Sequence, residues 1–226
     1  MKYDNIKEAR FISRPNRFIA NIEINGEQQV CHVKNTGRCK ELLIPNAEIY
    51  VQEFDNSNRK TKYDLISVYK GSRLVNIDSQ VPNKVFMEWL KAGNMFDSIS
   101  VVKAESLYKN SRFDFYIEAD GKKIFAEVKG VTLEEEGVAL FPDAPTERGV
   151  KHINELCECL MEGYEAFLIF IIQMKDVKYF APNKKMHKEF AEALEKAQRK
   201  GVKIIGLDCE VSKNSINAKD YVEIRI

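Results

Sequence analysis

The chain has 226 residues, enough for one large domain or two small ones. Apolar residues make up 44%, sufficient for a packed core, and 35 Lys+Arg against 34 Asp+Glu leave a net charge of +1. Recognition through global charge is therefore excluded, and contact with nucleic acid would have to come from a local patch.

Eleven Gly and six Pro exclude a collagen-like or low-complexity chain. No run of about 18 apolar residues is present, so no membrane contact through a spanning helix is expected. The first ten residues lack the apolar stretch of a secretory signal. Cys31, Cys39, Cys157, Cys159 and Cys209 form no CxxC, and only three His accompany them. Neither a disulfide framework nor a zinc site is expected, which points to a reduced, cytoplasmic protein.

Residues 1–82 read as short strands. Ile19–Ile24 and Gln29–Val33 flank Asn25-Gly26, a hairpin signal. Ala47–Phe54, Tyr63–Lys70 and Leu74–Ile77 follow, with turns about every ten residues, the pattern of a small β-barrel. This part holds 13 basic and 10 acidic residues, against 22 and 24 in residues 83–226. The boundary is expected near Ser79–Asn83, with Asn83 capping a helix whose stripe is Val85, Phe86, Trp89 and Leu90. Strands are expected at Ile99–Tyr108, Arg112–Ala119 and Lys123–Lys129, then an amphipathic helix from about Glu147. The apolar run Glu165–Ile172 reads as a strand buried on both faces. A helix near Lys185–Lys200, stopped by Gly201, and a strand at Lys203–Leu207 complete the order. The fold class is α/β (α+β): a barrel, then a mixed-sheet domain.

One hairpin carries chemistry. Asp120-Gly121 favours a two-residue type I′ turn, which pairs residues whose numbers sum to 241. Phe113, Phe115 and Ile117 then share an apolar face with Ile124, Ala126 and Val128. On the other face Asp114 opposes Glu127, and Arg112 opposes Lys129. Directly opposed like charges destabilise a hairpin unless something offsets them. A divalent metal would, because Mg²⁺ (or Mn²⁺) is held by one or two carboxylates together with substrate phosphate. Lys129, on the same face, could orient a water or stabilise charge on phosphate. Asp114, with Glu127 thirteen positions on and Lys129 two further, is an arrangement used for metal-dependent phosphodiester hydrolysis. The same residues also fit an ion-paired strand face, with Glu127 bonded to Lys129 or Arg112.

Glu88, on the preceding helix, is a candidate third carboxylate, and Glu105 another. Thr146 or Asp143 could cap the second helix, whose first turns carry Arg148, Lys151 and His152 where phosphate could bind. The Glu134–Glu136 run reads as a solvated loop. In the barrel, Arg10, Phe11, Arg14, Arg17 and Phe18 interleave basic and aromatic residues, as backbone contact plus base stacking requires; core Phe with surface Arg gives the same pattern. Asn35–Arg38 reads as a turn exposing Arg38, with Lys40 close by.

Six stretches, Phe11–Phe18, His32–Leu43, Leu74–Asn83, Ser111–Phe115, Glu127–Leu133 and Phe141–His152, resemble the sugar fermentation stimulation protein (SfsA) family in order over essentially the whole chain. Asn46 and Cys39 depart from its pattern. The resemblance implies an OB-fold barrel over 1–82 and a PD-(D/E)xK nuclease-like domain with a mixed central sheet over 83–226. It implies DNA binding, with Asp114, Glu127 and Lys129 as the nuclease residues and Glu88 as the helix carboxylate. Arg14, Arg17, Arg38, Lys40, Arg112, Arg148, Lys151 and His152 are the expected nucleic-acid contacts. The expected partner is DNA, single- or double-stranded, with a second copy of the chain as a further candidate. A non-catalytic DNA-binding regulator is the alternative to a nuclease.

Overall fold

The computed structural model describes Met1–Ile226. Its first part is built from β1 (Ile6–Asn16), β2 (Ile19–Ile24), β3 (Glu27–Val33), β4 (Glu48–Glu53), β5 (Tyr63–Lys70) and β6 (Arg73–Asn76). Asn25 and Gly26 take φ of 53° and 81°, the left-handed pair that a type I′ turn needs, and fix the β2–β3 register at Ile24↔Glu27. β1 pairs with β2 and β4, β4 with β5, and β5 returns parallel to β3. Five strands thereby close a barrel and leave it no open edge. Phe11, Ile22, Val51, Leu65 and Val68 fill it.

The second part runs α1 (Pro82–Lys91), β7 (Ile99–Tyr108), β8 (Ser111–Ala119), β9 (Lys122–Val131), β10 (Leu133–Glu135), β11 (Val138–Phe141), α2 (Glu147–Met161), β12 (Glu165–Ile172), β13 (Tyr179–Pro182), α3 (Lys188–Lys200), β14 (Lys203–Ser212) and β15 (Ser215–Val222). One mixed sheet has the order β15-β14-β12-β9-β8-β7, with β9, β12 and β14 mutually parallel. β12 explains the layering. Phe167, Ile169 and Ile171 pack with Val85, Phe86 and Trp89 of α1. Leu168, Phe170 and Ile172 pack with Ile153 and Leu156 of α2 and Phe190 and Leu194 of α3. A strand covered on both faces needs no polar alternation, so its sequence is a continuous apolar run.

The two parts share polar contacts. Gln173 Nε2 donates to the Asn76 carbonyl (3.1 Å), Asn76 Oδ1 (3.0 Å) and the Asp78 carbonyl (3.0 Å). With its amide so held, Gln173 leaves no room beside Gly130: a Cβ there would stand 2.5 Å from Gln173 Oε1 and 2.8 Å from Pro82 Cγ. Glycine therefore lets β9 run directly beneath the start of α1.

Glu134 is not a solvated loop residue. It lies in β10, buried, with Lys70 at 2.7 Å and Arg73 at 3.1 Å reaching across from the β5–β6 hairpin. Burial pushes its carboxyl up, but Lys70, the Gly137 N–H and Arg73 outweigh burial and hold it below its ordinary value. The unfolded chain then binds the Glu134 proton more readily than the folded one, so this stability is present above the ordinary glutamate range and lost as pH falls from that range through the lowered folded value. Acid melting curves should show a wild-type loss that Glu134→Gln flattens; an unchanged slope in the variant would contradict the assignment.

Candidate active site

The β8–β9 register is Phe115↔Ala126, Tyr116↔Phe125, Ile117↔Ile124, the sum of 241 that the Asp120-Gly121 turn dictates. Asp120 and Gly121 have φ of 49° and 74°. The apolar face differs from expectation at one residue. Phe113 packs with Phe125 and His152 on the α2 side, not with Phe115 on the α1 side. The β8–β9 ladder stops at Phe115, and Asp114 stands where it stops.

There the Asp114 carboxylate replaces a backbone acceptor. Its Oδ2 accepts the Val128 N–H at 2.8 Å, and its Oδ1 accepts Asn83 Nδ2 at 2.8 Å. Asn83 is therefore not the cap of α1; the helix begins at Pro82 and its cap residue is Val81. Burial, then the charge of Glu127, push the Asp114 carboxyl up, while Val128, Asn83 and Lys129 act against them.

Glu127 is 3% exposed. Lys129 Nζ lies 2.5 Å from its Oε1, and His152 Nδ1 lies 2.5 Å from the same oxygen. Its Oε2 is buried with no hydrogen-bond partner. Burial pushes its carboxyl up, but His152 and Lys129 overcome this and hold it below the usual range. Asp114, Glu127 and Lys129 line one cleft of about 320 Å³ with Asn83, Thr146 and Arg148. Thr146 caps α2 by accepting the Gly149 N–H at 3.0 Å, so Asp143 is free for another role.

Glu88 is not part of this cleft. It is half exposed and bonded to the N-terminal ammonium of Met1. At about 100° per residue, five positions carry it well around the helix from Asn83, which is the α1 residue that reaches Asp114. Glu105 takes φ of 51° and turns to solvent, where it pairs with Arg112 at 3.1 Å; neither enters the cleft.

The expected nucleic-acid contacts divide. Arg14, Arg17, Arg38 and Lys40 do line one recess, together with Gly37. Arg14, however, spends its guanidinium on four carbonyls: Gly37 (2.9 Å), Arg38 (2.8 Å), Arg17 (2.8 Å) and Asn35 (2.6 Å). It is the internal scaffold of the loop that carries Arg38, not a free cation. Arg17, Arg38 and Lys40 are exposed. The same loop reaches the second domain, since the Arg38 N–H donates to Asp143 Oδ2 at 3.0 Å. A side chain at Gly37 would collide with that carboxylate.

Phe11 is core and Phe18 is exposed, which splits the expected aromatic pair. Lys151 is exposed and 3.7 Å from Glu155. His152 is buried and bonded to Glu127, so the expected phosphate contact does not form at that residue. Asn83 as the donor to Asp114 has no sequence signal beyond its place in the Leu74–Asn83 stretch. The meeting of Glu127 and His152 has none either, because it depends on how α2 crosses the sheet.

A closed OB barrel followed by a mixed-sheet domain whose central sheet is built in the order αβββαβ, with two carboxylates where its hairpin opens, defines a narrow class of protein. Family models agree: the "SfsA N-terminal OB domain" matches residues 12–77 and the "Sugar fermentation stimulation protein RE domain" matches 80–215. The chain belongs to the sugar fermentation stimulation protein family. It is 62% identical over its full length to the sugar fermentation stimulation protein homolog of Desulfitobacterium hafniense (strain Y51), covering 99% of that protein. The homolog from Ruminiclostridium cellulolyticum is also 62% identical, with both chains covered completely. The structure of Pyrococcus furiosus SfsA in complex with Ca²⁺ superposes with a TM-score of 0.90 at 29% identity, over 100% of this chain and 98% of that one.

Proposed function

We propose that the protein binds DNA and hydrolyses its phosphodiester bonds in a divalent-cation-dependent reaction. The observation that carries this reading is Glu127 Oε2, a buried carboxylate oxygen without a partner, on a residue that lines a polar cleft with Asp114. Burying an unpaired ionised oxygen is costly, and a cation offsets that cost. Asp114 and Glu127 supply hard oxygen donors of the kind Mg²⁺ and Mn²⁺ take, so they are the residues that would hold the ion. That the Pyrococcus furiosus relative carries Ca²⁺, another oxygen-seeking cation, supports the same reading.

When bound, such an ion polarises a phosphoryl oxygen and lowers the pKa of a bound water. The chain's own residues do the rest. Asn83 and the Val128 N–H hold Asp114 in one orientation. Lys129 stands at the cleft wall, where charge builds on phosphate in the transition state. Arg148, at the first turn of α2, faces the same space and adds a donor for a phosphate oxygen. The test is cleavage of labelled single- and double-stranded DNA with Mg²⁺, Mn²⁺ or EDTA. Metal-dependent cutting that Asp114→Ala abolishes is the expected result; equal cutting by the variant would sink the proposal.

A second reading, DNA binding without cleavage, is favoured by the recess that Arg17, Arg38 and Lys40 line, which shares no residue with the carboxylate cleft. All three are exposed to solvent. On either reading, Arg38→Ala and Lys40→Ala should each weaken DNA binding and lower the slope of log K against log salt by about 0.7–0.9. Titrations at several salt concentrations check this. A slope that neither variant changes would remove the recess from the DNA path.

A further inference from the structure

One oxygen of Glu127 is bonded and the other is buried without a partner, and the cause lies on α2. His152 is 4% exposed, its ring edge-on to Phe113 with centroids 6.0 Å apart. Its Nδ1 is 2.5 Å from Glu127 Oε1, and Arg148 Nε donates to its Nε2 at 3.3 Å. A guanidinium nitrogen of this kind donates and does not accept. His152 Nε2 must therefore offer its lone pair, and the ring proton sits on Nδ1, where it is given to Glu127. Arg148 and His152 are four residues apart on α2, so one helix face delivers both groups in line. With Lys129 also on Oε1, that oxygen is saturated by two donors while Oε2 has none.

We infer that Arg148 and His152 act as a positioning pair: Arg148 selects the His152 tautomer, and His152 pins Glu127 Oε1 so that Oε2 alone is presented to a divalent cation. The inference rests on reading the cleft as a cation site. It makes His152 a positioning residue that touches neither ion nor substrate. Hydrogen-bond partners of metal-ligating carboxylates typically matter by about 10–100-fold in metal affinity.

The experiment is calorimetric titration of the full chain with Mn²⁺ alone, at one fixed pH, on wild type, His152→Asn, His152→Gln and His152→Ala, with melting curves confirming that each is folded. An Asn amide places its NH₂ near the position of Nδ1, whereas a Gln amide reaches toward that of Nε2. His152→Asn should stay within about 3-fold of wild type, and His152→Gln and His152→Ala should lose about 10–100-fold in Mn²⁺ affinity. Nitrogen NMR of ¹⁵N-histidine-labelled wild type adds a readout independent of metal: His152 should carry its proton on Nδ1 with a bare Nε2, and Arg148→Ala should release the ring to a mixture of tautomers. Proton on Nε2 or on both nitrogens in the wild type overturns the inference, as does a His152→Gln affinity equal to wild type. A wild type that binds no Mn²⁺ overturns the cation reading itself and the positioning role with it, a failure distinguishable from the other two.

Discussion

Glu127→Gln should lower metal-dependent DNA cleavage by at least about 100-fold while leaving the melting temperature within about 2–4 °C of wild type. The two halves of this expectation have separate physical causes. The amide keeps the shape of the carboxylate, and its Oε1 can still accept from Lys129 and His152, the two donors the structure provides. It also removes the repulsion between Glu127 and Asp114 that helps push the Asp114 carboxyl up. The lost attraction to Lys129 is offset by lost burial of charge and lost repulsion, so the net change in stability is on the order of 1 kcal/mol, far below the cost of breaking a buried pair outright. The lost oxygen charge has no such offset toward a cation. Cleavage rates and melting curves on the same preparations check both halves. A variant that cuts as fast as wild type would place the chemistry elsewhere; one that cannot fold would show that Glu127 is part of the core.

The hairpin that carries this site was legible because turn chemistry is local. Asp120-Gly121 sets the turn, the turn sets the register, and the register brings Asp114 to the level of Glu127. The same logic read the Asn25-Gly26 hairpin. β12 was legible because burial on both faces leaves an unbroken apolar run. β1 was not marked as a strand: it is only partly buried, with Phe11 its one fully buried residue, and its pairing with β2 shifts at Phe11/Ser13 and Ser13/Asn16. β15, an edge strand whose only buried residue is Ile216, lacks the alternation that would mark it. Phe113 crosses to the other face because Asp114 ends the ladder, and strict period-2 reading has no term for that interruption. Glu88 and Asn83 show the same limit from the other side. Which residue of α1 meets Asp114 depends on the rotation of the helix over the sheet, and that is set by Phe86 and Trp89 packing against Phe115 and Tyr221. Arg14 and His152 look like ligand contacts in the sequence because it shows that a side chain can donate, not that four carbonyls or a buried glutamate already receive it.

The site also depends on a charge cluster outside its cleft. Asp64 and Asp78 are 2% and 1% exposed, and Lys34 joins them, 2.7 Å from Asp78 and 3.6 Å from Asp64. Asp64 keeps Arg59 and His32 if Lys34 is removed, whereas Lys34 is the cation that Asp78 has. Burial, then the charge of Asp78, push the Tyr3 hydroxyl well above its ordinary pKa, so Tyr3 stays a neutral neighbour and cannot replace the lysine charge. Lys34→Met should therefore strand a buried carboxylate at a cost of about 3–5 kcal/mol, a fall of roughly 6–20 °C in melting temperature for a chain of this size. Asp78→Asn in the same chain should recover a large part of that loss, because it removes the stranded charge. Melting curves of wild type, the single variants and the double variant form the cycle that tests this. A double variant no more stable than Lys34→Met would show that the lysine acts through packing of its stem, not through charge. The consequence reaches the cleft by the backbone. The Ser79 N–H donates to the Lys34 carbonyl at 3.1 Å, and the Asp78 carboxylate accepts the Gln80 N–H at 3.0 Å. Those contacts seat the segment that ends at Asn83, and Asn83 is what holds Asp114. An ion pair just beyond the ends of β3 and β6 thus fixes a carboxylate in the next domain, and Lys34→Met should loosen divalent-cation binding at temperatures where the chain is still folded.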